Sequence, residues 1–592
     1  MKPLLFAAAS PIVIVICFAQ APPTMFPPVR GLHELVGAAN NFEVEAGYRM
    51  LTQGGNAVDA GVASVLAATV TEQSRVGLGG EIPILVKMSG RPVMAISGVG
   101  IAPAKATVEY YQHRPPEPWE EADHLAPIPL QGIRSAITPG MLAGLLLALE
   151  QFGTKSFAEV AEPAIGYASE GFVMPDEFGK MLRSYKEIIA LWPDSGRFFY
   201  PGGVVTRPGE QFREPDLAKT FRELVQAEKK AHGNRVAKLR AVRGLFYEGS
   251  IAHRIADYNE KNGGLIAYED MVKTKAEVEP ATTGSYRGYE IHKPGFWTQG
   301  PVMIEALNIL EGFDLKSMGH NSPEYLHTVV ETVKLAFADR DVYYGDPKFS
   351  KIAEEVLLSK DYAAERRKLI DPRQASMESR PGAIGPHVAP STTSETAKEP
   401  VNDTTCVDVF DRMGNAFSAT PSGAWLPSVI AGDTGIPLTS RLQSFVLTPG
   451  HPNQLQAGKR PRVTLSPTIV TQAGQFVMEL STPGGDNQDQ ALLQVMLNVI
   501  EFGMGAQEAV ESPRFQTEHF YSSFGNHEFI PGRLSLENRI SRSTIEALAA
   551  LGHQVNVTGE WSNSSSPVLI VRRNEVLDGG ADIRRARYIF GR

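Results

Sequence analysis

The chain has 592 residues, a net charge of −9, and 43% hydrophobic and 21% charged residues, which is typical of a soluble globular protein. The negative charge and the lack of a basic run argue against nucleic-acid binding. Of its two cysteines, Cys17 lies in the N-terminal apolar stretch, so a processed chain would keep only Cys406 and no internal disulfide.

The first residues have the pattern of a secretory signal peptide. Lys2 precedes an apolar run from Leu4 to Phe18, and Ala19-Gln20-Ala21 has the small residues of a cleavage site. We therefore predict a signal peptide over 1–21 and export to the periplasm or the extracellular space. An uncleaved anchor is the alternative, but the run is short and contains Ser10-Pro11. No stable membrane span is expected after signal removal.

Helices and strands alternate in the first half. Apolar spacing predicts a helix from Asn41 to Gln53, a second through Val62 to Val70 with Asn56 as its cap, and a strand from Ile82 to Met88. A long helix is predicted from Tyr325 to Tyr344, and we interpret its mixed charges as structural ion pairs. No P-loop, dinucleotide-binding or metal-ligand spacing is recognised, so neither a cofactor nor a metal is expected.

A polar segment leads into a predicted core hairpin. Residues 371–402 are rich in Ser, Thr, Pro and Glu and predict a flexible linker. The alternation after Cys406 predicts a strand, and Ala416 to Thr420 is predicted to return beside it. Thr404 and Thr405 stand at the start, where they can be ordinary strand formers. A threonine at a newly cut N-terminus can instead activate its hydroxyl with its own amine.

A second hairpin and a helix are predicted further along. Thr468-Ile469-Val470 and Phe476 to Leu480 are expected to pair, and a helix is expected from Gln488 to Phe502. Gly484 and Gly485 lie between the second strand and the helix. Backbone N–H groups at such a junction are suited to hold an oxyanion, while a plain Gly-Gly turn is the alternative.

Motifs along most of the chain resemble the gamma-glutamyltranspeptidase (glutathione hydrolase) family. They include the run GGNAVDA at 54–60, the Thr404-Thr405 pair, Pro483-Gly484-Gly485 and the closing stretch Gly580 to Arg585. The resemblance implies an α+β fold, a four-layer αββα sandwich of the N-terminal-nucleophile hydrolase type. It also implies self-cleavage into a large subunit, 22–403, and a small catalytic subunit, 404–592, which together form one domain.

The resemblance implies a mechanism as well. The Asp403-Thr404 bond is the expected cleavage site, and Thr404 the expected nucleophile toward a small-molecule amide such as a γ-glutamyl compound. Gly484 and Gly485 are expected to hold the oxyanion. Ser422 stands where the family carries a threonine that touches the nucleophile. Water or an amine would release the acyl group.

The residues expected to hold substrate depart from the family pattern. By motif, the family's glutamyl-binding positions fall on Arg441, Ser444 and Thr464, among others, and Arg462 lies nearby. Arginine at such positions should repel an ammonium and attract a carboxylate. An acyl group with a carboxylate but no α-amine, glutaryl- or oxamate-like, is therefore the alternative to a γ-glutamyl group; both arginines can also be structural.

Other classes of function stay open at this point. A non-catalytic scaffold could keep the fold, although it would have no reason to retain Thr404, Gly484 and Gly485. Cys406 is interpreted as a small buried group, with a role as the true nucleophile as the alternative. A serine hydrolase is disfavoured because no G-x-S-x-G elbow is found.

Overall fold

The computed structural model describes residues 24–120, 125–392 and 403–592. The predicted signal peptide at 1–21 and residues 393–402 of the predicted linker lie outside these ranges. Within them, no helix has both the length and the apolar character needed to cross a membrane.

Two seven-stranded sheets form the centre of the molecule. In spatial order, the strands of the first sheet are Val29–Gly31, Val576–Ala581, Val568–Arg573, Gln475–Ser481, Thr468–Gln472, Tyr289–Lys293 and Thr282–Tyr286. Those of the second sheet are Tyr588–Gly591, Leu35–Ala38, Val407–Phe410, Ala416–Ala419, Ile82–Lys87, Val93–Gly98 and Val278–Pro280. Smaller pairings join Phe515–Thr517, Arg533–Glu537 and Gln554–Thr558; Val429–Ile430 and Pro437–Leu438; and Phe172–Val173 and Gln211–Phe212.

Helices cover the outer face of each sheet. Those that share an apolar core with the second sheet are Asn41–Thr52, Ala57–Thr71, Met141–Phe152, Phe157–Glu170, Asp176–Ser184, Lys186–Ile189, Pro193–Phe199, Pro215–Lys230, Arg235–Tyr247, Ser250–Lys261 and Tyr268–Lys273. Those on the first sheet are Pro301–Leu310, Leu315–Met318, Pro323–Tyr343, Glu354–Leu357, Lys360–Arg367, Gln488–Ile500, Ala506–Glu511 and Arg542–Ala550. The short helix Val108–Gln112 packs into a separate cluster.

A third apolar core lies between the sheets. It joins residues of the second sheet, such as Leu85 and Phe410, to residues of the first, such as Phe476 and Ile570. The rings of Phe410 and Phe476 are in contact, with centroids 4.4 Å apart. Helix, sheet, sheet and helix therefore form four layers, and the predicted αββα sandwich is confirmed.

The hairpin that follows Thr404 lies in the middle of the second sheet. Val407–Phe410 pairs antiparallel with Ala416–Ala419 on one side and with Leu35–Ala38 on the other. Its strands are buried on both faces, which suits β-branched and small apolar residues. Asp411 accepts backbone hydrogen bonds from Met413 and Asn415 and so holds the turn. The predicted hairpin is confirmed, and it fixes the position of Thr404.

The other predicted elements are found within a few residues. Asn56 accepts hydrogen bonds from the backbone of Val58 and Asp59 and caps the helix that begins at Ala57. Thr468–Gln472 and Gln475–Ser481 pair as predicted. The predicted helix from Tyr325 is Pro323–Tyr343, and it carries buried ion pairs.

The described part of the predicted linker has fixed partners. Ala375 donates its backbone N–H to the carbonyl of Leu551, and Gly382 donates to Asp339 of the long helix. Arg380 pairs with Glu331 of that helix at 2.9 Å. The linker contributes backbone groups and one arginine to these contacts. The prediction of flexibility was based on the lack of large apolar residues, which does not indicate such polar contacts.

Candidate active site

The hydroxyl groups of Thr404 and Ser422 face each other in the interior. Thr404 lies just before the central hairpin and pairs with Ser422, which in turn exchanges backbone hydrogen bonds with Glu81. The Oγ1 atom of Thr404 is 3.0 Å from the Oγ atom of Ser422. Both side chains are buried. The sequence placed Ser422 beside Thr404 by resemblance, and the structure brings the two together.

The carbonyl oxygen of Asp403 has two side-chain donors. Ser422 Oγ donates to it at 3.1 Å, and the indole N–H of Trp425 donates to the same oxygen. The indole nitrogen also lies 3.2 Å from Ser422 Oγ. Sequence reasoning missed Trp425, although it stands three residues after Ser422. The bond expected to be cut therefore has its carbonyl oxygen held by two donors.

Arg441 lies behind these donors and not on an open surface. It is fully buried and pairs with Glu81, with 2.6 Å between Nε and Oε1. Its guanidinium stacks on the Trp425 ring at 4.3 Å from the centroid, and Nη2 lies 3.3 Å from Ser422 Oγ. Burial lowers the pKa of Arg441, and the charge of Glu81 opposes that shift. Arg441 thus contacts both Ser422 and Trp425, and its positive charge is matched by the carboxylate of Glu81.

The side chain of Asp403 points toward two other arginines. Its Oδ2 atom is 2.8 Å from Arg75 Nε and in contact with Arg585 Nη1. These are ion pairs by distance, without the alignment of good hydrogen bonds. Arg75 also pairs with Glu72 at 2.8 Å and with Glu177. Neither Arg75 nor Arg585 was singled out from the sequence for this role, because both are distant from Asp403 along the chain.

Gly484 and Gly485 border a cavity beside Asp403. The cavity has a volume of about 420 Å³, and its wall also includes Arg585, Glu518, Glu528, Phe520 and Phe524. Both glycines have positive φ, 121° and 56°. A Cβ at Gly484 would lie 2.3 Å from Ser565 Oγ, so a side chain does not fit there. The junction predicted from the sequence therefore lies at the same cavity as the expected cleavage site.

Charged residues hold the glycine loop in place. Asp486, directly after Gly485, accepts hydrogen bonds from Arg340 and from the backbone of Ser523. Arg340 belongs to the long helix Pro323–Tyr343, and it also pairs with Asp341 at 2.6 Å. The charges that the sequence indicated as structural ion pairs thus include one that anchors the loop of the cavity.

The other predicted substrate-binding residues are buried near this loop. Arg462 donates to Ser523 Oγ at 3.0 Å and to the carbonyl of Arg340 at 3.2 Å. Burial lowers the pKa of Arg462 to about 10, and the like charge of Arg340 adds to the shift. Ser444 and Thr464 are buried, and their hydroxyls have no hydrogen-bond partner among the described residues. Neither these three nor Arg441 is among the cavity-lining residues given above, so substrate contact stays a prediction for all four.

Cys406 is buried two residues after Thr404. Burial, opposed by Arg587, raises the pKa of its thiol to about 12. A thiol with such a pKa is neutral at physiological pH and is a poor nucleophile. This environment favours the interpretation of Cys406 as a small buried group.

Among the described residues, the structure brings together a buried group of metal-ligating side chains that spacing did not predict. His327, Glu331 and His553 offer ligand atoms within 4.8 Å of one another. The two imidazoles are hydrogen-bonded to each other at 2.9 Å, and Glu331 pairs with Lys334 and Arg380. The fold brings His553 to the long helix, which no local pattern indicates.

Comparisons with known proteins agree with this geometry. A family profile described as Gamma-glutamyltranspeptidase matches residues 44–591. The chain is 31% identical to the glutathione hydrolase proenzyme of Escherichia coli, over 96% of this chain and 95% of the relative. It is 34% identical to the acylase ACY 1 proenzyme of a Pseudomonas species, over 89% of this chain and 88% of the relative. The solved structure of cephalosporin acylase from Bacillus halodurans matches with a TM-score of 0.81 at 27% identity, covering 98% of this chain and 99% of that one.

The family profile extends over the whole site, from Glu81 to the closing stretch that carries Arg585. The relatives named here are hydrolases and acylases, and the prediction that the chain is an enzyme of this class is confirmed. The chain belongs to the gamma-glutamyltranspeptidase family.

Proposed function

We propose that the chain cuts itself between Asp403 and Thr404 and then uses Thr404 as an N-terminal nucleophile toward small-molecule amides. The observation that carries the proposal is the contact of Thr404 Oγ1 with Ser422 Oγ, next to a carbonyl oxygen that Ser422 and Trp425 both hold. The names of the relatives support it, since both are called proenzymes.

Self-cleavage begins when the Thr404 hydroxyl attacks the carbonyl carbon of Asp403. The new C–O bond forms, the C–N bond breaks, and the hydroxyl proton ends on the amide nitrogen, which becomes the amine of Thr404. Negative charge develops on the Asp403 oxygen during this step. Trp425 and Ser422 donate to that oxygen already in the uncut chain, so the stabilisation is preorganised. Water then hydrolyses the ester and leaves Asp403 as a chain end.

The cleaved enzyme repeats the attack on a substrate. The free amine of Thr404 takes the proton from its own hydroxyl, and the hydroxyl attacks the substrate amide to give an acyl-enzyme and a free amine. The N–H groups of Gly484 and Gly485 are proposed to hold the oxyanion. Water or an amine acceptor then releases the acyl group.

The proposed substrate is a γ-glutamyl amide or a similar side-chain amide. A glutathione hydrolase among the relatives supports this, and Glu518 and Glu528 in the cavity wall suit a substrate or acceptor that carries an amine. The second candidate is an acyl group with a carboxylate and no α-amine, supported by the acylases among the relatives. We also propose export, which N-terminal sequencing of the secreted protein tests.

Two measurements test the proposal in order. Intact mass of the purified protein should show two fragments that meet at Asp403 and Thr404, and Thr404→Ala should stay uncut. Thr405→Ala is the matched control, since the Thr405 hydroxyl has no hydrogen-bond partner among the described residues, and it should still be cut. An uncut wild-type chain contradicts the proposal and favours a non-catalytic scaffold.

The second measurement compares γ-glutamyl and glutaryl anilides, which differ only in the α-amine. Preference for the γ-glutamyl compound supports the first candidate, and preference for the glutaryl compound supports the second. If the protein is cut but hydrolyses neither anilide, both candidate acyl groups are contradicted, and only the proposed role of Thr404 in self-cleavage is supported.

A further inference from the structure

In the uncut chain the side chain of Asp403 lies in a site built for a carboxylate. Its Oδ2 atom is 2.8 Å from Arg75 and in contact with Arg585, and the Asp403 side chain is only 2% exposed. Arg585 and Asp403 both border the cavity of Gly484 and Gly485. The anion-binding groups therefore lie beside the expected position of the reacting carbonyl.

Arg585 depends on Asp403 for its ion pair more than Arg75 does. Arg75 pairs with Glu72 and Glu177 as well as with Asp403. Arg585 forms an ion pair with Asp403. Burial, and then the like charge of Arg75, lower the pKa of Arg585 to about 9, so its guanidinium is still charged at neutral pH. Loss of Asp403 would leave a cation whose side chain is only 20% exposed without its nearest anion, which is costly unless another anion replaces it.

Self-cleavage changes what Asp403 is. In that reaction Asp403 is the acyl group, because Thr404 attacks its carbonyl carbon. Its side-chain carboxylate is separated from that carbonyl by two carbon atoms, the spacing of a succinyl group. Cleavage makes Asp403 a chain end with a second carboxylate, and it can then leave the site.

We propose that Asp403 occupies, in the uncut chain, the carboxylate subsite of the mature enzyme, and that Arg585 with Arg75 binds the carboxylate of the substrate's acyl group once Asp403 has left. The inference rests on the proposed self-cleavage. It names the substrate class as amides of acyl groups that carry a carboxylate a few atoms from the carbonyl. It also assigns this role to Arg585 in place of the buried Arg441, whose charge Glu81 already matches.

The first test compares succinyl and butyryl anilides, which share a four-carbon chain and differ in the carboxylate. The cleaved wild type should prefer the succinyl compound. Arg585→Gln should raise the KM for the succinyl anilide and lower the preference for it about 10- to 100-fold. The KM for the butyryl anilide should change little. Arg585→Lys should restore part of the preference. Rates are expressed per cleaved chain, determined by intact mass, because Arg585 also contacts Asp403 before cleavage.

Arg542→Gln is the matched control, since Arg542 is an exposed arginine with an ion pair to Glu546 on a surface helix. It should keep the wild-type preference. An unchanged succinyl-to-butyryl ratio in Arg585→Gln would overturn the inference.

The second test does not need cleavage. Calorimetry measures binding of free succinate to two uncut proteins, Thr404→Ala and Asp403→Ala/Thr404→Ala. Succinate should bind only the double variant, where the subsite is empty, and adding Arg585→Gln should abolish the binding. No binding to a folded double variant, while the wild type still cuts itself, would refute the subsite alone. If succinate binds the double variant but the wild type stays uncut, the proposed function is refuted, while the anion-binding site itself is supported.

Discussion

The hydroxyl of Ser422 contacts four polar groups at once. Its oxygen lies 3.0 Å from Thr404 Oγ1, 3.1 Å from the Asp403 carbonyl oxygen, 3.2 Å from Trp425 Nε1 and 3.3 Å from Arg441 Nη2. A hydroxyl has one proton to donate. Because the carbonyl oxygen can only accept, that proton goes to Asp403, and the Thr404 hydroxyl donates to Ser422. Ser422 thereby orients the Thr404 hydroxyl and polarises the Asp403 carbonyl that this hydroxyl attacks.

Replacing Ser422 tests this double role. Ser422→Ala removes a donor to the Asp403 oxygen and the acceptor for Thr404, so we expect self-cleavage to slow about 100-fold or more. Ser422→Thr keeps the hydroxyl and should cut at close to the wild-type rate. The measurement is the fraction of cut chain over time on a denaturing gel. Equal rates for Ser422→Ala and wild type would remove Ser422 from the reaction.

Trp425 should act in processing through its N–H group. Trp425→Phe keeps an aromatic face for Arg441 but loses the donor to the Asp403 oxygen, so the cutting rate should fall about 100- to 1000-fold. Trp561→Phe, in a ring contact with Arg539 elsewhere, is the control and should cut normally. A time course by intact mass distinguishes the two. A fast-cutting Trp425→Phe would show that its N–H is dispensable.

Gly484 should be intolerant of any side chain. Gly484→Ala places a methyl group 2.3 Å from Ser565 Oγ at a φ of 121°, so the loop or Ser565 must shift. We expect kcat of the cleaved enzyme to fall about 100-fold or more, as for loss of an oxyanion donor. Gly503→Ala is the matched control: it also has positive φ, 69°, but its Cβ meets nothing within 4 Å. Equal activity of the two variants would contradict an oxyanion role for Gly484.

At the scale of elements, the hairpin after Thr404 connects the two sheets through a buried acid. Asp408 accepts hydrogen bonds from Ser418 across the hairpin at 2.5 Å and from Ser481 of the other sheet at 2.6 Å. Burial raises the pKa of Asp408 to about 7, although both serines act in the opposite direction. The neighbouring Glu479 also has a raised pKa, again chiefly because of burial.

This acid should make stability depend on pH. The folded pKa of Asp408 lies above the unfolded value near 3.9, so its stabilising contribution is present below about pH 4 and is lost as the pH rises toward 7. In the Thr404→Ala background, the free energy of unfolding of Asp408→Asn relative to its parent should therefore increase from pH 5 to pH 8, on the order of 2–3 kcal/mol. Denaturant midpoints at both pH values provide the measurement. Asp361→Asn, at an exposed position of the helix Lys360–Arg367, should show no such gain. An advantage of Asp408→Asn that is equal at pH 5 and pH 8 would contradict the prediction.

The elements themselves were largely predictable because their signals are local. Asn56 as a cap, the alternation after Cys406 and the Gly484-Gly485 junction depend on neighbouring residues, and each is found where expected. The roles of the arginines were not predictable in the same way. Arg441 was assigned to substrate by its position in a motif, but Glu81 pairs with it in the interior. Arg585 and Trp425 contact Asp403 only because the folded chain brings distant or unpatterned residues together.

At the scale of the whole molecule, the expected cut falls between parts of the chain that share both sheets. Val407–Phe410 pairs with Leu35–Ala38, and Ala416–Ala419 pairs with Ile82–Lys87. The last strand, Tyr588–Gly591, also pairs with Leu35–Ala38. Strands from before and after Thr404 are therefore interleaved within one hydrogen-bonded layer.

The two fragments should consequently stay together after cleavage. Separating them would break several strand pairings and expose the core between the sheets, so we expect one peak of the full mass in native gel filtration. The same sample should give two bands on a denaturing gel. Dissociation under native conditions would contradict the shared sheets.

The interleaved sheets also change how the protein can recover from damage. Before the cut, refolding is a first-order reaction of one chain. After it, the same architecture must be reassembled from two polypeptides, so the yield should fall on dilution, and reassembly competes with aggregation of the separated pieces. The mature protein would then persist because it unfolds slowly, and its lifetime would be set by a rate and no longer by an equilibrium.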